Sequence, residues 1–226
     1  MSSEETEWLG HYLRRIAHDF SAPLRHVVSF SELLQKHMGN ELDEKSHKYL
    51  DYIMAGGKEM QTMLNGAQMV GRIQSDTAGA ESVPLKDLVG DLWNKRLSSK
   101  YPNANLTYEA ESGAAILLDP IHAHTTIHAL LDNACRYNPN GVEIRFHAAK
   151  EGDMEILTVS DNGCGIKETE FDYAKQIFAR HHIDIPPKNG GVGLTCVDAV
   201  AKRYGGDFTF RKDEAGNHFI LKLPAT

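Results

Sequence analysis

From Thr6 to Lys36 apolar residues recur at alternating steps of four and three: Leu9, Leu13, Ile16, Phe20, Pro23, Val27, Phe30 and Leu34. This is the heptad spacing of a helix that packs along one seam in a coiled coil or bundle. Met38-Gly39-Asn40 reads as a helix stop, and Asp43 as the cap of a second helix. That second run carries a looser seam through Leu42, Tyr49, Ile53, Met60, Met63, Ala67 and Val70. Two long helices joined by a short loop make a hairpin with too little core to stand alone. Pairing two such hairpins into a four-helix bundle buries both seams, so a homodimer is expected. Pro23 removes one backbone donor inside the first helix. It predicts a kink there, or a break followed by a second short helix.

The pattern changes after residue 74. Ser75 to Val83 is small and polar and reads as a linker between a helical hairpin, 1–74, and a second domain, 84–226. In the second domain short apolar runs predict strands at Val83 to Leu85, Leu106 to Ala110 and Ile116 to Leu118. Helices are predicted over Lys86 to Ser99, from Pro120 to Tyr137, and up to Tyr204 from the glycines at 190–193. Val142 to Ala149 and Met154 to Ser160 pair as a hairpin around Glu151-Gly152-Asp153. Asp207 to Lys212 and His218 to Leu223 form another around Ala215-Gly216. Helices on one side of a mixed sheet give an α+β chain whose second domain is an α/β sandwich.

Composition narrows the picture by exclusion. At 226 residues the chain can hold one or two modest cores. A net charge of −7, with Lys and Arg scattered, argues against a nucleic-acid partner. No apolar run reaches the ~18 residues of a membrane span, and the N-terminus lacks a signal-peptide core. The three cysteines fit neither a disulfide framework nor a C-x-x-C metal pattern, which points to a reducing cytoplasmic location.

Several polar groups interrupt the apolar runs in ways that suggest chemistry. Met154–Ser160 leads into Asp161-Asn162-Gly163-Cys164-Gly165, a carboxylate at a strand end followed by two glycines spaced by one residue. Such glycines let the backbone turn sharply and leave room for a flat ligand, although Asp-Asn-Gly is also ordinary turn chemistry. Asn133 is a single polar residue in an apolar helical run, followed by Arg136 and Tyr137. Gly190, Gly191 and Gly193, then Leu194, open the last helix. In the first helix His18 lies two residues from both Ile16 and Phe20, about 200° around the axis from each, so its ring faces away from the seam. Asp19 beside it can accept the Nδ1 proton and leave Nε2 free as a nucleophile. His122-x-His124 and His181-His182 lack the Cys or carboxylate partners of a metal site; His122 and His124 are expected on a helix surface.

Asn133, the D-x-G-x-G of Asp161 to Gly165 and the glycine cluster, in that order, resemble the N, G1 and G2 boxes of the histidine-kinase ATP-binding fold. Gyrase and heat-shock chaperone ATPases share this Bergerat or GHKL fold. His18-Asp19 with Pro23 five residues on looks like the H box of a dimerising histidine kinase. The resemblance implies that Asp161 takes the adenine amino group, with Gly163 and Gly165 beside the ring. It implies Asn133 as a Mg²⁺ ligand, Arg136 and Tyr137 facing the nucleotide, and Gly191, Gly193 and Leu194 at the phosphate end. Phe178 to Lys188 corresponds to a mobile lid.

The implied activity is ATP-dependent autophosphorylation of His18, followed by transfer to an Asp of a response-regulator receiver domain. The ATP domain would swing on the linker to reach His18. The chain shows no sensor or transmembrane region, so a separate sensor protein is expected; some similar soluble kinases answer to a haem-based nitric-oxide sensor. Departures from the pattern are Ala129, where a second Asn often stands, and Asn189, where Gly is usual. They leave open a phosphotransfer or scaffold protein with a decayed ATP site. Ala22, in place of a Thr or Asn that positions water, implies weak phosphatase activity.

Overall fold

A computed structural model describes residues 3–75, 79–138, 140–179 and 190–225. These form two compact units: residues 3–75 with 190–192, and the remaining described residues.

In the first unit α1 spans Ser3–Met38 and, after a 3₁₀ turn at Gly39–Glu41, α2 spans Glu44–Ser75. Asp43 starts α2 by accepting the Ser46 N–H at 2.7 Å. The break considered at Pro23 does not occur, because α1 runs through it. The missing proline N–H leaves the Asp19 carbonyl, one residue after His18, without its helical donor.

The face that joins the two helices is not the bulky heptad seam. Gly10, Ala17, Leu24 and Ser31, spaced by seven, are buried on α1, and Leu50, Met54, Gly57, Ala67 and Val70 on α2. Small residues let the backbones approach closely. A Cβ on Gly10 would lie 2.8 Å from the Gly71 carbonyl oxygen, and one on Gly71 would lie 2.6 Å from that of Gly10. The bulky seam stays outside: Phe20, Val27, Phe30 and Leu34 are 60%, 50%, 67% and 48% exposed in the single chain. Tyr49, Ile53 and Met60 of α2 are exposed as well.

The second unit is a mixed sheet with helices packed on one face. Its strands are β1 (Glu81–Pro84), β2 (Ala104–Ala110), β3 (Ala115–Leu118), β4 (Val142–Glu151), β5 (Met154–Asp161), β6 (Asp207–Asp213) and β7 (Gly216–Pro224). The main sheet has the order β2-β4-β5-β7-β6, in which β2 and β4 are parallel and the other neighbours antiparallel. Among the described residues β1 pairs only with β3, so Glu81 to Val83, read as the end of the linker, is already strand. The strict alternation of β4 shows why burial is one-sided. Val142, Ile144, Phe146 and Ala148 face the core, and Glu143, Arg145 and His147 face out.

Helix α3 (Leu85–Leu92) continues through a π turn at Trp93–Leu97 into α4 (Ser98–Lys100). Helix α5 (Pro120–Arg136) has Asp119 as its cap, accepting the Ile121 and His122 N–H groups, with Pro120 in the first turn. After β5 come a 3₁₀ turn (Glu168–Glu170) and α6 (Phe171–Ala174), whose Phe171 packs on Phe208, Phe210 and Phe219. Helix α7 (Gly193–Arg203) completes the layer. Leu130 and Leu131 of α5 and Val197 and Val200 of α7 are wholly buried. No described helix is long and apolar enough to cross a membrane.

Candidate functional site

Asp161 is the last residue of β5 and lies on the core face, 5% exposed. Its Oδ1 accepts the Gly163 N–H at 2.9 Å and the Asn217 side-chain amide at 2.8 Å. Burial pushes the carboxyl above its ordinary range, against the pull of these two donors. Among the described residues nothing donates to Oδ2, which remains an acceptor for a ligand amine.

The glycines of this loop are needed for a reason not visible in the motif. A Cβ on Gly163 would lie 2.1 Å from the Asn138 side chain, and one on Gly165 would lie 1.8 Å from Asn217 Oδ1. Asn138 bridges the end of α5 to the loop, donating to the Ala134 carbonyl at 2.7 Å and accepting the Cys164 N–H at 3.1 Å. Asn217 donates from Nδ2 to Asp161 and, at 3.0 Å, to the Gly163 carbonyl. Two asparagine side chains therefore occupy the space that Gly163 and Gly165 leave open. Neither asparagine is marked by local sequence, since each matters only through a partner many residues away.

Asn133 sits half-buried on α5, and among the described residues its side chain has no hydrogen-bond partner. A neutral oxygen of this kind suits a hard cation that keeps most of its water. The same helix carries Asp132, wholly buried, which accepts from Lys100, Arg136 and, at 2.9 Å, the Tyr101 hydroxyl. Burial works upward on its carboxyl, yet Arg136 and Lys100 outweigh it and hold the pKa below the ordinary value. Arg136 is thus tied to its own helix and nearly buried. Tyr137 closes the helix, its N–H on the Asn133 carbonyl and its own carbonyl 3.7 Å from Cys164 Sγ.

His122 does not lie on the helix surface. It is buried on the same face as Thr126 and Leu130, one turn apart each, and its Nδ1 is 3.0 Å from the Tyr204 hydroxyl. The phase set by the Asp119 cap turns that face inward. Among the described residues no group of three or more His, Cys, Asp or Glu side chains could hold a metal ion. Gly190 and Gly191 both take left-handed φ, 70° and 69°, Gly193 begins α7 and Leu194 follows it. The lid from 180 onward, with His181, His182, Pro186 and Pro187, and also Asn189, falls outside the described residues, whereas Phe178 stands at φ 64°.

In the first unit the His18 side chain is 80% exposed. Its Nδ1 lies 3.0 Å from Asp19 Oδ1, and Arg15 Nε donates to Asp19 Oδ2 at 2.9 Å. The contacts to His18 and then Arg15 hold the Asp19 carboxyl below its ordinary value. Nε2 of His18 has no partner among the described residues.

The second unit is thus a mixed sheet covered on one face by helices, with a strand-end carboxylate beside a double-glycine loop. Residues 118–226 match the family model described as Histidine kinase-, DNA gyrase B-, and HSP90-like ATPase. Those residues form an ATPase domain of that family, and over nearly its whole length the chain is similar to sensor histidine kinases. It is 22% identical over 210 residues to the phytochrome-like protein Cph1 of Synechocystis sp., which covers 92% of this chain and 28% of that protein. It is 25% identical over 229 residues to the aerobic respiration control sensor protein ArcB of Escherichia coli, covering 95% of this chain and 28% of ArcB. The chain thus spans well under half the length of these curated relatives.

Among solved structures, full-length ShkA in complex with AMPPNP matches with a TM-score of 0.70 at 17% identity, over 95% of this chain and 45% of that one. The histidine kinase ThkA in complex with the response regulator protein TrrA matches with a TM-score of 0.62 at 18% identity, over 99% and 64%.

Proposed function

We propose that the protein is a two-component histidine kinase that phosphorylates His18 from ATP and passes the phosphoryl group to an Asp of a separate response regulator. The observation that carries this reading is His18 itself. An exposed imidazole has one nitrogen engaged by a carboxylate and the other free, in a chain that also holds an ATPase domain.

The helical hairpin up to Ser75 forms the dimerisation and phosphotransfer part, and the sheet domain from Glu81 onward the catalytic part. Asp161 accepts the adenine amino group on Oδ2. Gly191, Gly193 and Leu194 lie at the phosphate end, where backbone N–H groups at the start of α7 favour negative charge. Asn133 would hold Mg²⁺, which when bound would neutralise charge developing on the phosphates. Nε2 of His18 attacks the γ-phosphorus, the N–P bond forms as the bond to the leaving oxygen breaks, and ADP departs. Asp19 accepts the hydrogen bond from Nδ1–H and stabilises the ring as positive charge grows. The receiver Asp then takes the phosphoryl group from His18.

The ThkA–TrrA complex, in which a histidine kinase holds a response regulator, is the precedent for that partner. The protein acts as a homodimer, paired along the exposed apolar rows of the two helices.

Radiolabelled ATP should yield acid-labile, alkali-stable label on the protein. His18→Gln should carry none, and label persisting in that variant overturns the assignment. Absence of Mg·ATP binding by calorimetry would instead favour a scaffold with a decayed ATP site.

A further inference from the structure

The buried partner of Asp161 is not part of the glycine-loop motif. Asp161 and Asn217 stand opposite each other on β5 and β7, and Asn217 is wholly buried. Both hydrogens of its amide are used, one on Asp161 Oδ1 and one on the Gly163 carbonyl. Among the described residues its own Oδ1 has no hydrogen-bond partner. The amide orientation is nonetheless fixed, because the two atoms facing Nδ2 are both acceptors. A buried orphan acceptor is costly, and the arrangement retains it in order to keep two donors aimed at the loop.

We propose that Asn217 is a positioning residue that keeps Asp161 a hydrogen-bond acceptor and thereby sets a preference for a 6-amino purine over a 6-oxo purine. The inference rests on the reading of Asp161 as the base-recognising group. With Oδ1 saturated by the Gly163 N–H and the Asn217 amide, an ionised Asp161 offers only the acceptor Oδ2 to a ligand. That oxygen fits the exocyclic amine of adenine. It repels the carbonyl oxygen that guanine presents at the same ring position. A protonated Asp161 would instead donate and accept the oxo purine. Selectivity therefore depends on which form the site holds.

The charged and titratable groups that act on Asp161 come from three neighbouring elements. His218 on β7 and Lys212 on β6 favour its charge, while Cys135 on α5 is itself sensitive to that charge. Burial opposes the charge more strongly than any of them, and the Asn217 amide is the largest counterweight. Removing that amide shifts Asp161 toward the protonated form at any given pH.

The test is calorimetric titration of the full chain with ADP and with GDP, in Mg²⁺, at pH 6 and pH 8, for wild type, Asn217→Leu, Asn217→Thr and Asp161→Asn. Loss of a hydrogen bond to a charged group should weaken ADP binding by Asn217→Leu about ten- to a hundredfold. The loss should be greater at pH 6 than at pH 8, and the ADP-to-GDP affinity ratio should fall toward one. Asn217→Thr, which restores one donor, should lie between, and it serves if the leucine variant does not fold. If both variants bind ADP and GDP more weakly by the same factor at both pH values, Asn217 is merely structural and the inference is overturned. If Asp161→Asn keeps the wild-type ratio, the reading of Asp161 itself fails.

Discussion

Asp132 and Asp161 are both buried carboxylates whose neighbours pull the pKa down against burial, with opposite net results. Around Asp132 two cations and a tyrosine hydroxyl outweigh burial, so its folded pKa lies below the unfolded value. Such a group contributes stability that is fully present above about pH 3.8 and is lost as pH falls through the folded value. Replacing it removes the carboxylate that Lys100 and the nearly buried Arg136 both contact. Asp132→Ala should therefore destabilise the second unit by about 3–5 kcal/mol, read from urea unfolding. Asp161 has the reverse sign: burial raises its folded pKa, so stability declines as pH rises from the unfolded value through the folded one, and the cost persists at neutral pH. Asp161→Asn keeps an oxygen for Asn217 and Gly163 and removes the charge. We expect it to raise unfolding stability at pH 7 by about 1 kcal/mol while abolishing adenine-nucleotide binding. A variant that is less stable and still binds ATP would contradict both statements. Stability and recognition are in tension at this one side chain.

At the scale of elements, what could be read from the sequence was whatever shows as contrast within a few residues. The strand from Val142, the helix from Pro120 and the turn after β5 are local signals, and each stands where its pattern put it. The inner face of the helical hairpin gave no such contrast. Gly10, Ala17 and Ser31 are small and partly polar, and they were hidden beside the bulkier row one position away. Asn217, likewise, is a lone polar residue in an apolar strand until the register sets it opposite Asp161. Lys100, Tyr101 and Asp132 meet only once α4 packs beside α5. Close approach of the hairpin helices also makes two glycines of α2 behave differently. A Cβ at Gly56 meets nothing within 4 Å, whereas one at Gly71 falls 2.6 Å from the Gly10 carbonyl oxygen. Gly56→Ala should stabilise the helical unit by about 1 kcal/mol through helix propensity alone. Gly71→Ala gains the same propensity but forces the helices apart at a cost of about 1–3 kcal/mol, so it should lower the melting temperature. Thermal unfolding followed by circular dichroism separates the two, and equal shifts would mean that the helices do not meet at Gly10 and Gly71.

For the whole molecule the decisive feature is the row that the single chain leaves uncovered. Phe20, Val27, Phe30 and Leu34 recur along α1 and are about half exposed or more, and exposed Tyr49, Ile53 and Met60 recur along α2. Contiguous apolar stripes of this length are rare on a monomer's surface and mark a site of association. A second copy is the occupant that fits best, because the stripe has the heptad spacing of a self-complementary helical bundle. His18 lies off this row and is exposed, so pairing along the stripe leaves its ring accessible. The expected outcome is a dimer in sedimentation equilibrium that persists at 0.5–1 M salt, a range in which surface charge pairs are screened to a few ångströms. Val27→Asp combined with Phe30→Asp places charge at the centre of the row without touching the buried hairpin face. This double variant should sediment as a monomer with its helical content retained. It should also lose transfer to His18 if phosphorylation runs between protomers, and keep it if each protomer serves itself. A double variant that remains dimeric would move the association surface elsewhere and leave the exposed row unexplained.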